Sequence, residues 1–380
     1  MQSGMEVRMA TRLNRTTLVS TLIVATALAL VALGLSVITN AGATTAAAAR
    51  PAADPPAAAS HVMQGHKMAP AKPVAFGDDP DGDGYIPANP PVTGVTPSQE
   101  IPPHRYFHEF QANCSVTHTA PDDPIVYPGQ AGASHDHTFM GNDTTNASST
   151  TASLGRGGTA CLAVGDLSAY WMPTLYNGNQ EIRPIGPQVI YYKAGVTDYR
   201  TVRPFPKGLR FVVGSPTQTK EQFRDHPGAV EGYECGESFH NYDIPAACPT
   251  SRDTQLNLRM QAPSCWDGKY LDTPDHKAHM AYPIVMGANQ DVCPASHPVA
   301  LPMIEFKMAW PVNGDMSQVR LASGSGYSFH YDFFNAWDDA TLKAMVDHCV
   351  VGGLQCDPRG YDQNNPGRGS VLDENYRLRR

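Results

Sequence analysis

Eight cysteines (Cys114, Cys161, Cys235, Cys248, Cys265, Cys293, Cys349 and Cys356) all follow an apolar leader, and that combination limits the fold more than any other feature. An even number of cysteines outside the cytoplasm pairs into disulfides, here four. Eight cysteines allow roughly 105 pairings; the short loops favour Cys235 with Cys248 and Cys349 with Cys356. No Cys-x-x-Cys spacing occurs, which argues against a zinc ribbon or a redox motif. In the leader, Arg8, Arg12 and Arg15 precede an apolar run from Leu18 to Ile38, followed by Ala41-Gly42-Ala43, a small-x-small cleavage pattern. Residues 1–43 therefore read as a signal peptide or, since about 20 apolar residues suffice to span a bilayer, an uncleaved N-terminal anchor. The expectation is an extracellular chain, secreted or tethered to the cell surface, with membrane contact only through that anchor.

The formal net charge is −8; residues 1–43 remove Glu6 and three arginines, a net +2, and leave −10 for the rest. Such a surface repels phosphate polymers, so nucleic acid is excluded as a partner.

Residues 44–100 are rich in Ala, Pro and Gly without apolar periodicity and read as a disordered tether. Within it, His61, Met63, His66 and Met68 are donors suited to copper, against the plainer reading of a solvated linker. Asp79, Asp81, Asp83 and Gly84 copy the first half of a calcium loop, but Pro90 stands where the bidentate Glu belongs.

A single domain is expected over 101–356, with a loose polar tail over 357–380. Its periodicity is that of strands: Ile304, Phe306, Met308 and Trp310 alternate with polar or small residues, as do Leu256, Leu258 and Met260, and Leu209, Phe211 and Val213. One helix is expected after Asp338 or Asp339, with Leu342, Met345, Val346 and Cys349 on one stripe. The fold class is mostly β: an antiparallel, sandwich-like domain with long disulfide-stapled loops and one C-terminal helix, expected as a monomer.

Three stretches carry residues suited to chemistry. In Ser134-His135-Asp136-His137-Thr138-Phe139 the two imidazoles lie at i and i+2, on one face of an extended chain. In Tyr327–Phe333, Ser328, His330 and Asp332 share one face and four aromatics the other; a carboxylate beside an imidazole can fix its tautomer. Cys265-Trp266-Asp267-Gly268, with Asp272, Asp275, His276 and His279, forms a loop braced by a cysteine. A third ligand from His276, His279 or His330 would complete, with His135 and His137, an open zinc or copper site. Without metal, an imidazole base and a carboxylate acid such as Asp267 or Asp275 suit glycosidic cleavage. Trp171, beside Tyr170 and Tyr176, and Trp266 are candidate flat platforms for sugar rings, although Trp is more often core. No G-x-S-x-G elbow, H-E-x-x-H helix, Walker loop or dinucleotide fingerprint is present, which disfavours serine hydrolases, zincins and nucleotide enzymes.

The succession His104 to Phe107, Cys114, Ser134 to Asn142, Tyr170-Trp171-Met172-Pro173, Phe205-Pro206-Lys207-Gly208-Leu209-Arg210, Cys265-Trp266-Asp267-Gly268, Asp275-His276, Cys293-Pro294, His297-Pro298-Val299 and His330-Tyr331-Asp332-Phe333 resembles the domain-of-unknown-function family numbered nineteen ninety-six. The resemblance spans the whole folded region. It implies secreted proteins of actinobacteria and filamentous fungi, the fungal ones often joined to WSC modules thought to bind carbohydrate. This chain departs by carrying the Ala/Pro tether and no such module. The resulting expectation is a protein that binds or acts on cell-wall or environmental polysaccharide, as a hydrolase or lyase if it is an enzyme. Its catalytic residues are expected among His135, His137, Asp267, Asp275, His276, His330 and Asp332. The alternatives are a non-catalytic binding or structural protein, and a metal-binding protein using His135, His137 and His279.

Overall fold

The computed structural model describes residues 74–229, 232–236, 241–287, 289–373 and 375–376. The leader, and the donors His61, Met63, His66 and Met68, lie outside the described residues.

The strands that position the site are, in chain order, β1 (Ile86–Pro87), β2 (Glu109–Gln111), β3 (Val116–Ala120), β4 (His137–Gly141), β5 (Ala169–Pro173), β6 (Val189–Ala194), β7 (Arg210–Gly214), β8 (Gly232–Cys235), β9 (Leu256–Gln261), β10 (Tyr270–Asp272), β11 (Pro302–Trp310), β12 (His330–Phe334) and β13 (Gln355–Cys356). They build a five-stranded sheet, order β3-β4-β5-β12-β7, and a six-stranded sheet, order β8-β9-β11-β6-β2-β13. All neighbours are antiparallel except β2 and β13. The fold is mostly β, with antiparallel sheets, four disulfides and a C-terminal helix, as the alternation implies.

The two sheets face each other across one core. Met140, Tyr170, Met172, Phe211, Val213, Tyr331 and Phe333 of the five-stranded sheet meet Phe110, Ile190, Tyr192, Leu258, Met260, Phe306 and Met308 of the other. Phe306 stacks on Tyr331 at 3.9 Å between centroids, and the Tyr331 hydroxyl donates to the Ile304 carbonyl at 3.1 Å. The residues between these, on the outer face of the five-stranded sheet, are also covered. Phe139, Trp171, Val212 and Phe334 join Ile125, Leu154, Leu167 and Ala336 in a second, smaller core. Every residue of β12 is consequently buried, so the face of His330 and Asp332 is not the wet face that antiparallel alternation suggests.

The helix Asp339–Met345 starts where expected, with the Asp338 side chain accepting from the Thr341 N–H, and the chain continues as a wider turn, Val346–Val351. Both short disulfides form; the others join Cys114 to Cys161 and Cys265 to Cys293.

Two boundaries differ from those that composition suggests. Residues 74–100 are built into the domain rather than tethering it: β1 pairs with β10, Ile86 and Ala88 are buried, and Asp78 pairs with Arg210 at 2.5 Å. A few apolar residues and one ion pair suffice to dock a segment whose overall composition is that of a linker. The described part of the tail also packs. Leu372 is buried, and Arg359 donates to the carbonyls of Leu372 and Asp373.

Candidate functional site

The site lies on the outer face of the five-stranded sheet. His137 opens β4, and its i+2 neighbour Phe139 packs on Trp171, 5.5 Å away, which fixes that face of the strand inward. Trp171 is opposite Asp332 and Pro173 is opposite His137, so the antiparallel count places the compact Pro173 between His137 and His330. His137 and His330 therefore lean toward each other over a short side chain, and their Nε2 atoms stand 3.4 Å apart. His135, just before β4, completes the group, its ring centroid 4.3 Å from that of His137 and 5.1 Å from that of His330. Asp136, between the two histidines, is drawn to the other side by the Tyr176 hydroxyl at 2.7 Å.

These rings are held neutral. Burial, with the neighbouring imidazoles, pushes His137 and His330 well below the ordinary histidine range, and burial pulls His135 down to about 4 against the opposing pull of Asp136. Asp332, two residues along from His330, has both carboxylate oxygens buried without a hydrogen-bond partner. Burial and the Asp123 carboxylate push it well above the usual carboxylate range, with Lys277 acting in the opposite sense.

A cavity of about 360 Å³ opens over this group, lined by Asp123, Tyr127, His135, Asp275, His276, Lys277, His330 and Asp332. His276 and Lys277 reach it from the loop that the Cys265–Cys293 bridge closes. The His276 backbone sits at φ +55°, the left-handed region that a non-glycine residue adopts at a cost. Its Nδ1 lies 3.0 and 3.1 Å from the two oxygens of Asp272. Burial pulls this ring down, but Asp272, with Asp123 and Asp275, outweighs it and raises His276 above the ordinary histidine range. Lys277 donates to the Gly214 carbonyl, and burial lowers its ammonium against the pull of Asp332 and Asp275. The pocket thus holds an imidazole oriented by a carboxylate, a lysine, two buried carboxyls and the rim of the histidine cluster. This set can accept, donate and relay protons.

Of the residues expected from sequence, His135, His137, Asp275, His276, His330 and Asp332 come together around this pocket, with His137 directly behind it. Asp267 does not. Its Oδ1 accepts from the backbone N–H groups of Lys269 and Tyr270 in a tight turn elsewhere. His279 is no ligand for the cluster, because its Nε2 meets the Arg210 carbonyl at 2.8 Å and its Nδ1 the Thr273 hydroxyl at 3.0 Å. Trp171 and Trp266 are not sugar platforms: both are fully buried, Trp171 in the smaller core and Trp266 in the main one, its indole donating to the Tyr270 carbonyl. Asp79, Asp81 and Asp83 do bring carboxylate oxygens within 4.8 Å of one another, but both Asp79 oxygens already accept backbone N–H groups, from Gly82 and Gly84. Sequence reasoning missed Lys277 and Asp123. Lys277 was detectable as the one cation in the loop of Asp272 to His279, whereas Asp123 carries no local signal beyond an Asp-Pro turn.

A two-sheet, disulfide-bridged β domain with a histidine-lined pocket on the outer face of one sheet is the class that these observations define. Four disulfides fit an oxidising, extracellular compartment, and among the described residues no helix is long and apolar enough to cross a membrane. A family model described as domain of unknown function (DUF1996) matches residues 123–337, and the chain belongs to that family. Comparison with curated proteins and with solved structures returned no match.

Proposed function

We propose that the chain is exported and that its domain, acting as a monomer, binds extracellular polysaccharide in this pocket and cleaves it by acid/base chemistry. The observation that carries the reading is His276, held by both oxygens of Asp272 on a left-handed backbone and lining an open pocket with the unpartnered Asp332 carboxyl. Holding a backbone and a buried carboxyl in unfavourable states costs stability, and such costs concentrate where a ligand repays them. Sugar hydroxyls are donors of the kind Asp332 lacks, while His276, raised above the ordinary histidine range by Asp272 against its burial, can hold and give up a proton beside them. The carbohydrate modules implied by the family resemblance favour the same substrate class.

Purified protein incubated with chitin, β-glucan, mannan, xylan and peptidoglycan tests this by the appearance of new reducing or unsaturated ends. The expected result is turnover of at least one polymer, reduced by about 10²- to 10⁴-fold in His276→Gln with glycan binding retained. No product from any of them with native protein, or full turnover in His276→Gln, overturns the catalytic reading.

A further inference from the structure

The three clustered imidazoles face one another with lone pairs. His137 Nδ1 lies 2.9 Å from the Asp122 carbonyl, and His330 Nδ1 lies 3.0 Å from the Ser328 carbonyl. A carbonyl oxygen has no proton to give, so each ring must carry its proton on Nδ1 and donate it there. Both Nε2 atoms are then bare acceptors, set 3.4 Å apart with His137 at 0% and His330 at 3% exposure. The Nε2 of His135 is buried too, and it has no hydrogen-bond partner. One nitrogen from each ring lies within 4.8 Å of the others.

Unshared electron pairs converging in a dry site repel one another and are costly unless a cation sits among them. A proton would create a buried imidazolium, and among the described residues no ion pair with a carboxylate is formed by any of the three rings, Asp136 pulling on His135 without outweighing its burial. We propose that His135, His137 and His330 bind a divalent first-row transition ion, zinc or copper(II), through their Nε2 atoms. Metal–nitrogen bonds of about 2.0–2.1 Å at tetrahedral angles place neighbouring nitrogens roughly 3.3–3.4 Å apart, which is the spacing between His137 and His330. Carbonyl acceptors on the far nitrogens are the outer-shell arrangement that fixes tautomer and ring orientation in histidine metal sites. No thiolate competes among the described residues, since every cysteine is bridged. Because His135 and His330 also line the pocket, the ion's remaining position faces it, which is how a site open to a ligand is built.

The inference does not rest on the polysaccharide reading, and its probe is the metal alone. Protein made without an affinity tag, stripped with chelator and held near neutral pH, is titrated calorimetrically with zinc chloride and, separately, copper(II) chloride. The expected result is one ion per chain at about micromolar affinity or tighter, with little proton release, because the three Nε2 atoms already lack protons. His135→Ala should weaken zinc binding by about 100-fold or more with the melting temperature little changed, and His330→Gln should do the same. His297→Gln, outside the cluster, should bind as the parent does. A folded chain that takes up neither ion overturns the proposal, and so does parental affinity in His135→Ala. Should His330→Gln fail to fold, His135→Ala decides alone.

Discussion

Asp123 is nearly inaccessible, its Oδ1 accepting the N–H groups of Ile125 and Val126, and burial lifts its carboxyl to about 6 from 3.8. Because the folded value is the higher one, the stability it contributes is complete below about pH 4 and is lost as pH rises through about 6. Asp123→Asn keeps an acceptor for both N–H groups and does not titrate. The stability of the parent relative to this variant should therefore fall by on the order of 3 kcal/mol between about pH 3.5 and 7. Urea titrations of both proteins at each pH measure it, and a constant difference would refute the shift. At this scale the sequence was legible where spacing alone sets direction: His135 and His137 at i and i+2, and His330 with Asp332. It was illegible where the partner is distant. His279 looked as free as His276, yet the Arg210 carbonyl 69 positions away ties its ring, and nothing local in Trp171 distinguishes a buried indole from an exposed one.

Strand β7 ends in Gly214 at φ +82°, where a Cβ would come within 2.7 Å of the Phe329 carbonyl. That glycine lets β7 run close beside the start of β12 and turns its carbonyl to receive Lys277. Gly214→Ala should destabilise the domain by about 1–3 kcal/mol, visible as a lowered melting temperature, and should weaken whatever the pocket holds. An unchanged melting temperature would show that the turn tolerates a side chain. Alternation located β9, β11 and the core of β7, and the capped stripe located the C-terminal helix, since a period of two or 3.6 is written in consecutive residues. Over Tyr327–Phe333 it failed in part. Gly326–Ser328 forms a tight helical turn and the strand starts only at His330. Alternation also cannot reveal that both faces of a sheet are covered, so the face of His330 and Asp332 became a buried floor of the site where a wet surface is the ordinary outcome.

Across the whole molecule, the pocket joins two separately secured parts: the histidine cluster on a central sheet, and the loop of Asp272 to Lys277 held by the Cys265–Cys293 bridge across 28 positions. Replacing both cysteines with alanine should cost roughly 3–4 kcal/mol by chemical denaturation. Zinc affinity should stay within a few-fold of the parent while polysaccharide turnover collapses; equal loss of both would mean that the two parts are not independent. The run from Asp78 to Ala88 adds a second restraint on the same loop, through Arg210 and through the pairing of Ile86 with Asp272. Engineers trimming this protein at residue 101, where composition invites the cut, would discard that strap. Such a shortened product should still load metal but melt at a lower temperature and lose the fixed posture of His276, so a start at or before residue 74 is the safer choice for recombinant work.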